Sequence, residues 1–374
     1  MAERGYGEGS VCQREDGRWM ARFRVDGKVR TLYAATEAKA RKALRKALGD
    51  RDQGLVVNGP NQTVDKYLHR WLEDCARQSV RPRTYECYEL AVRRLLPHLG
   101  KVRLQALTPA HVQKAYAALL TAGLSRRTVQ LTHAVLHHAL KQALQWGQIA
   151  RNPTDAVSAP KPARKEMQVL SQEQVEALFA ANREDRLYAL WVTLATAGLR
   201  IGEALGLRWS DIDFASRNVA IQRALQYRAP QGYSFVEPKT SRSRRTVVFP
   251  ASTIQALREH RRRQAAERLQ AGPTWEDTDL VFCNEIGQPL NASSTVTSAF
   301  QRALTRAGLP KIRIHDMRHT AATLLLSQGC HPKYVQDLLG HSTITLTLDT
   351  YSHVVPALHG EAADKMELLF AGKI

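Results

Sequence analysis

HDMRHTAAT, residues 315–323, is the stretch on which the fold turns. It reads as the start of a helix, where His315 and Arg318, three residues apart, share one face beside the positive end of the helix dipole. A phosphate is the natural guest there. Taken alone, His315 serves equally as a helix-cap histidine and Arg318 as a solvated surface arginine. The neighbouring His315-Asp316 pair also suggests metal ligation, but no second cluster of carboxylates and histidines supports it.

Four other stretches of the carboxyl-terminal half carry residues of the same chemical kind. ATAGLRIGEALGLRW, 195–209, sets Arg200 in a turn at a helix start, with Gly198 and Gly202 letting backbone approach a ligand closely. By itself Arg200 reads as well as an ion-pair partner of Glu203, three residues on. EPKTSRSRRTVVF, 237–249, places Lys239 in a hairpin loop between two strands, within reach of a neighbouring cleft. Arg242, Arg244 and Arg245 are cations nearby in sequence, and Lys161 and Lys165 stand in the stretch before this domain, yet only Lys239 precedes Thr-Ser in that loop. LLGH, 338–341, puts His341 directly after Gly340, the stop of a helix over 333–339, and LDTYSHV, 348–354, puts Tyr351 ten residues further. A lone tyrosine is usually packing.

The order Arg200, Lys239, His315-x-x-Arg318, Gly340-His341, Tyr351 resembles the tyrosine recombinase (phage integrase) family, with a residue at every expected place. That resemblance implies a role for each of them. Tyr351 would attack the scissile phosphodiester and keep the strand as a 3′-phosphotyrosine, a linkage that a DNA hydroxyl later displaces without ATP. Arg200 and Arg318 would clamp the non-bridging oxygens, a task that suits the guanidinium fork. Lys239 would protonate the departing 5′ oxygen, His315 would help accept the phenol proton, and His341 would hydrogen-bond the phosphate. Glu203 would support the fold. No cofactor or metal is implied, since fixed cations meet the charge of the transition state.

Outward from this domain, residues 151–166 contain three prolines and four basic residues and read as a linker. Before it, Val64, Tyr67, Leu68, Trp71, Leu72 and Cys75 follow one helical stripe. Three further helices are expected: 83–96, stopping before Pro97; 109–120, capped by Thr108; and 126–146, capped by Ser125 and stopped by Gly147. Arg126 and Arg127, at the start of the last, suit a phosphate. The first segment has two Asp-Gly pairs, Asp16-Gly17 and Asp26-Gly27, the signature of hairpins, and so reads as a three-stranded meander. In its middle strand Trp19, Ala21, Phe23 and Val25 face one way while Arg18, Arg22 and Arg24 face the other, a candidate DNA-binding face. Thr36 caps a helix over 37–48 that Gly49 stops.

The expected fold is therefore multidomain and mainly α: a small three-stranded β-sheet plus helix (1–58), a helical bundle (61–150), the linker (151–166) and an α+β catalytic domain (167–374). Ser171 and Gln174 form the capping box that opens this last part, and a further helix is expected over 357–370, whose end at Leu368 to Phe370 either packs on its own domain or, as the resemblance implies, docks on a neighbour. The resemblance extends forward, making the bundle similar to a SAM-like core-binding domain and the meander similar to an arm-binding domain.

The 374 residues include 54 Lys and Arg against 35 Asp and Glu, a net charge of +19. Segment by segment the excess is +5 over 1–60, +8 over 61–160 and +6 over 161–374, which suits a long polyanion better than a small phosphate. No apolar run approaches the ~18–20 residues of a membrane span, and five scattered cysteines without a CxxC pair fit a reducing cytoplasm. The resulting expectation is a site-specific recombinase in the cytoplasm of a bacterial host, associated with the nucleoid. It would integrate and excise a phage or mobile element, assembling as a homotetramer on core- and arm-type attachment sites with DNA-bending and directionality proteins as accessories. A type IB topoisomerase-like strand transferase, a catalytically silent DNA-binding regulator and a metal-dependent phosphodiesterase are the competing readings.

Overall fold

The computed structural model describes residues 9–25, 28–52, 62–162, 167–228, 231–236, 244–340, 343–345 and 348, and the chain divides into two compact units, Met1–Arg164 and Lys165–Ile374. Asp26-Gly27, Lys239, His341, Tyr351 and the expected helix over 357–370 lie outside the described residues.

In the first unit, β1 (Ser10–Gln13), β2 (Trp19–Val25) and β3 (Lys28–Ala34) form an antiparallel meander in that order. The register sets Val11 beside Ala21 and Ala21 beside Leu32. Alternation does the rest: Ala21 and Phe23 are buried with Leu44 of α1 (Glu37–Asp52), while Arg22 and Arg24 are exposed on the other face. That basic face has an apolar seat, because Met20, buried at 8% exposure, lies there between Cys12 and Tyr33.

Thr36 caps α1 through the Lys39 amide at 3.4 Å. Gly49 does not stop the helix, which runs three residues further to Asp52. Glycine stops a helix only where it takes a left-handed turn, and Gly49 stays helical.

The helical part follows its apolar stripe. Thr63 caps α2 (Val64–Trp71), and Val64, Tyr67, Leu68 and Trp71 are buried. A π-turn at Leu72–Ala76 and a last turn, α3 (Arg77–Ser79), extend it. In α4 (Pro82–Leu99) the helix passes through Pro97, contrary to the expected stop. Pro97 lies in the last turn, where the lost N–H costs one bond, and Gly100 still donates to the Leu96 carbonyl at 2.9 Å. Thr108 and His111 make the capping box of α5 (Pro109–Thr121), and Ser125 accepts from the Thr128 amide at the start of α6 (Arg126–Gln145). Gly147, at φ +64°, turns the chain after α6. Within the stretch read as linker, Pro153–Ala156 forms a 3-10 turn, with Pro153 and Thr154 buried and Val157 in the helical core.

In the second unit the Ser171–Gln174 box caps α7 (Gln172–Ala180). The next helix, α8 (Tyr188–Ala197), is apolar all round and accordingly buried, packed between α10 (Ala251–Ala271) and α12 (Asp316–Ser327). A short helix, α9 (Ile201–Leu205), leads into the antiparallel sheet of β4 (Ile212–Asp213), β5 (Asn218–Ile221) and β8 (Arg245–Val248), while β6 (Ala224–Arg228) and β7 (Gly232–Val236) make a separate hairpin. Then come α11 (Thr297–Arg306), α12 and α13 (Pro332–Leu339), which ends at Gly340 in the left-handed conformation, φ +65°.

Candidate active site

Three elements converge where α8 ends. The first is the turn after it: Gly198, at φ +58°, reverses the chain so that Arg200 becomes the N-cap of α9. A side chain at Gly198 would meet Leu339 Cδ2 at 2.7 Å, so only glycine allows this turn to lie against α13. The second is the start of α12, with His315 at its N-cap and Arg318 one turn in. The third is the end of α13.

Arg318 joins all three. It is buried, 3% exposed, and donates from Nη1 to the Gly198 carbonyl at 2.8 Å and from Nη2 to the Leu339 carbonyl at 2.7 Å. A buried guanidinium stays charged, so its burial is costly without such acceptors. Arg200, with a side chain 40% exposed, donates from Nη1 to Glu203 Oε1 at 2.7 Å, and its amide donates to Glu203 Oε2 at 3.1 Å. The ion pair that the sequence allowed is therefore present, and it orients Arg200 without covering it.

Glu203 is shared. Its Oε2 also accepts from Arg245 Nη2 at 3.1 Å, and Arg245 Nε donates to the Leu338 carbonyl at 2.8 Å. Burial alone would push this carboxyl up, but Arg245 and then Arg200 overcome it and hold the pKa below the ordinary value. In sequence, Arg245 is one cation among several near Lys239, and nothing in its spacing marks it for the site. A signal is there all the same: Arg245, Val247 and Phe249 alternate on the inward face of a strand, so Arg245 had to find a buried acceptor.

His315 is exposed as a residue, and its ring meets His319 edge-on at 5.2 Å between centroids. Partial burial, then the cation Arg318, lower its pKa below the usual histidine value, with Arg313 and Arg200 adding to the effect and Asp316 opposing it. His319 is pushed down to about 4, chiefly by burial and then by His315. Asp316, which the sequence allowed as a metal ligand, is engaged by Arg313. Its carboxylate accepts from Arg313 at three donors: the amide at 2.9 Å, Nε at 3.1 Å and Nη2 at 2.7 Å. Among the described residues no group of three His, Cys, Asp or Glu side chains is placed to hold a metal ion.

The sequence pattern of the phage integrase family matches residues 168–357, and that of the phage integrase N-terminal SAM-like domain matches residues 63–120. The chain belongs to the phage integrase family. This recombinase is 32% identical over 358 residues to a XerC-like tyrosine recombinase of Caldanaerobacter subterraneus subsp. tengcongensis, with 91% of each chain covered. It is 27% identical over 427 residues to an integrase of Saccharopolyspora erythraea, covering 98% of this chain and 97% of the relative. Among solved structures, the Tn1549 transposon integrase in complex with a circular intermediate DNA superposes with a TM-score of 0.71 at 27% identity, over 82% of this chain and 99% of that one. The lambda integrase dimer bound to a COC′ core site shares the fold, with a TM-score of 0.58 at 18% identity over 94% and 96% of the two chains. The enzyme is a tyrosine recombinase, and its class of reaction is DNA integration and recombination.

The remaining candidate residues lie in the first unit. Arg22 sits mid-strand between Ser10 and Thr31, and Arg24 one pleat further. Arg18 lies just before β2 and donates to Asp16 at 2.7 Å, with its guanidinium over the Tyr33 ring. Arg126 and Arg127 are exposed in the first turn of α6, where Arg127 donates to Gln130 at 2.7 Å.

Proposed function

We propose that this recombinase breaks a DNA strand by attack of the Tyr351 phenol on the scissile phosphate, and reseals it when a 5′ hydroxyl of the partner strand displaces the 3′-phosphotyrosine. Each step exchanges one phosphodiester for another, so no external energy source enters. Arg200 and Arg318 bind the non-bridging oxygens and hold the charge of the pentavalent transition state; Lys239 protonates the leaving 5′ oxygen, His341 hydrogen-bonds the phosphate, and neutral His315 takes the phenol proton. The phenol needs that help, since its ordinary pKa is about 10.

The observation that carries this reading is Arg318: a buried guanidinium pinned between the Gly198 and Leu339 carbonyls, with His315 on the same helix start. It ties the turn presenting Arg200 to the helix end that leads toward positions 341 and 351. A surface arginine would have no reason to be buried there.

Around this chemistry, residues 1–58 serve as the arm-type DNA module through Arg18, Arg22 and Arg24, and 61–150 as the core-type module through Arg126 and Arg127, with 151–166 as the linker to the catalytic domain at 167–374. Four copies assemble on two attachment sites in a bacterial cytoplasm, aided by bending and directionality proteins. No described helix is long and apolar enough to cross a membrane. The test is a reaction with two differently labelled duplexes carrying the attachment sites. Recombination gives joined products with both labels. Relaxation of supercoils without joining would mark a topoisomerase, and site-specific binding without any covalent adduct would mark a regulator.

A further inference from the structure

We propose that Arg245 is a positioning residue for strand cleavage: through Glu203 it aligns Arg200, and through the Leu338 carbonyl it fixes the end of α13, so one buried side chain sets two parts of the site in register. The inference rests on the reading that Arg200 clamps the scissile phosphate.

The geometry is specific to a guanidinium. Arg245 is 8% exposed and Glu203 4%, so the pair is shut away from water. Its Nη2 takes Glu203 Oε2 at 3.1 Å, leaving Oε1 for Arg200 at 2.7 Å. The same fork, turned by its fixed angle, places Nε 2.8 Å from the Leu338 carbonyl. Lysine has a single nitrogen on a flexible stem, a point charge without the separated, rigidly angled donors that span these two acceptors. Gly340 completes the fit: a side chain there would come within 3.0 Å of Arg245 Nη1, so the chain passes directly over the guanidinium on its way to position 341.

The energetics point the same way. Glu203 is buried at the foot of α9, and among the described residues the charged groups that face it are Arg200 at the start of that helix and Arg245 on β8. Of the other elements packed on α9, α8 and the Ala292–Val296 turn carry no charged side chain, and β6, which meets α9 through Ala224 and Leu225, has Arg228 only at its other end. With Arg245 removed, the cation left to Glu203 among the described residues is Arg200, the one it is meant to orient. Burial then favours the protonated acid, which holds Arg200 loosely.

The experiment compares the full chain with R245M, R245K, E203Q and the R245M/E203Q double variant on a core-site duplex nicked to trap the covalent adduct. Binding and single-turnover cleavage at saturating DNA are read separately. R245M is expected to keep DNA affinity within about 2-fold while cleavage slows by about 10- to 100-fold, the scale at which a small misplacement of a catalytic group is felt. R245K, which keeps the charge on Glu203, should recover part of that rate. The double variant should lose less than the product of the two single losses, because part of what Arg245 does passes through Glu203 and part through the Leu338 carbonyl. Wild-type cleavage by R245M, a loss confined to DNA affinity, or multiplying losses in the double variant would overturn the proposal. Should R245M not fold, R245K decides: slower cleavage at unchanged affinity supports the role, and an unchanged rate refutes it. Adduct formation by Y351F, or none by the wild-type chain, would instead sink the assignment of Tyr351 and this inference with it.

Discussion

Replacing Gly198 with alanine should cost far more than its one methyl suggests. The residue sits at φ +58°, where an L side chain pays about 1–2 kcal/mol. Its Cβ would also lie 2.7 Å from Leu339 Cδ2, inside van der Waals contact with a fully buried side chain, and overpacking of this kind costs about 1–3 kcal/mol more. Gly308 separates the two contributions. It has φ +66° in the same unit, yet nothing lies within 4 Å of the Cβ it would gain. G308A should therefore lose about 1–2 kcal/mol and G198A about 2–5 kcal/mol, which for a domain of this size lowers the melting midpoint by roughly 5–15 °C. Thermal unfolding of both variants beside the wild type measures the difference. Cleavage adds a second reading, because Gly198 and Leu339 supply the two carbonyls that hold Arg318. G198A should slow adduct formation below its own midpoint while G308A leaves it unchanged. Equal midpoints for the two variants, or a destabilised G198A that cleaves normally, would refute the reasoning.

The same geometry sets other outcomes. Removing Arg22 and Arg24 together should reduce the slope of log affinity against log salt by about 2 on arm-site DNA, one phosphate contact each; an unchanged slope would make the meander a structural accessory. His315 acts as a proton acceptor only when neutral, and in the free protein its pKa lies below the ordinary 6.5, so the second-order rate of cleavage at subsaturating DNA, which reports the free enzyme, should be lost only as the pH falls below that value; a midpoint above pH 6.5 in that rate would count against it as the acceptor. Adduct formation should proceed in excess chelator, since the charge is met by guanidiniums; inhibition that added magnesium reverses would return the metal-dependent reading.

Much of this architecture is legible wherever one residue's local chemistry settles the matter. Ser171 with Gln174, Thr108 and Ser125 mark helix starts because an orphan amide needs an acceptor within three residues, whatever the tertiary setting. The meander is readable because Asp16-Gly17 and strict alternation leave few other choices. Stops are harder to read. Gly49 and Pro97 break helices only if the chain gains by leaving, and in both cases the helix continues. The site divides along the same line. Arg200, His315 and Arg318 stand out in sequence by their neighbours and spacing, and the structure brings them together. Arg245 does not, because its meaning lies in the partner it meets, a glutamate 42 positions earlier, and the strand alternation hints only that it points inward. The Arg313–Asp316 pair has the same character: an adjacent His-Asp suggests a ligand until the arginine that occupies the carboxylate is seen.

The central claim is tested most directly by mapping the covalent bond. The recombinase is trapped on a nicked core-site duplex, digested with protease and nuclease, and the nucleotide-bearing peptide is sequenced by mass spectrometry. The account predicts one modified peptide, with the 3′-phosphate of the cleaved strand on the Tyr351 phenolic oxygen. A phosphate carried by any other residue, or strand cleavage that leaves no phosphate on the protein, would contradict it.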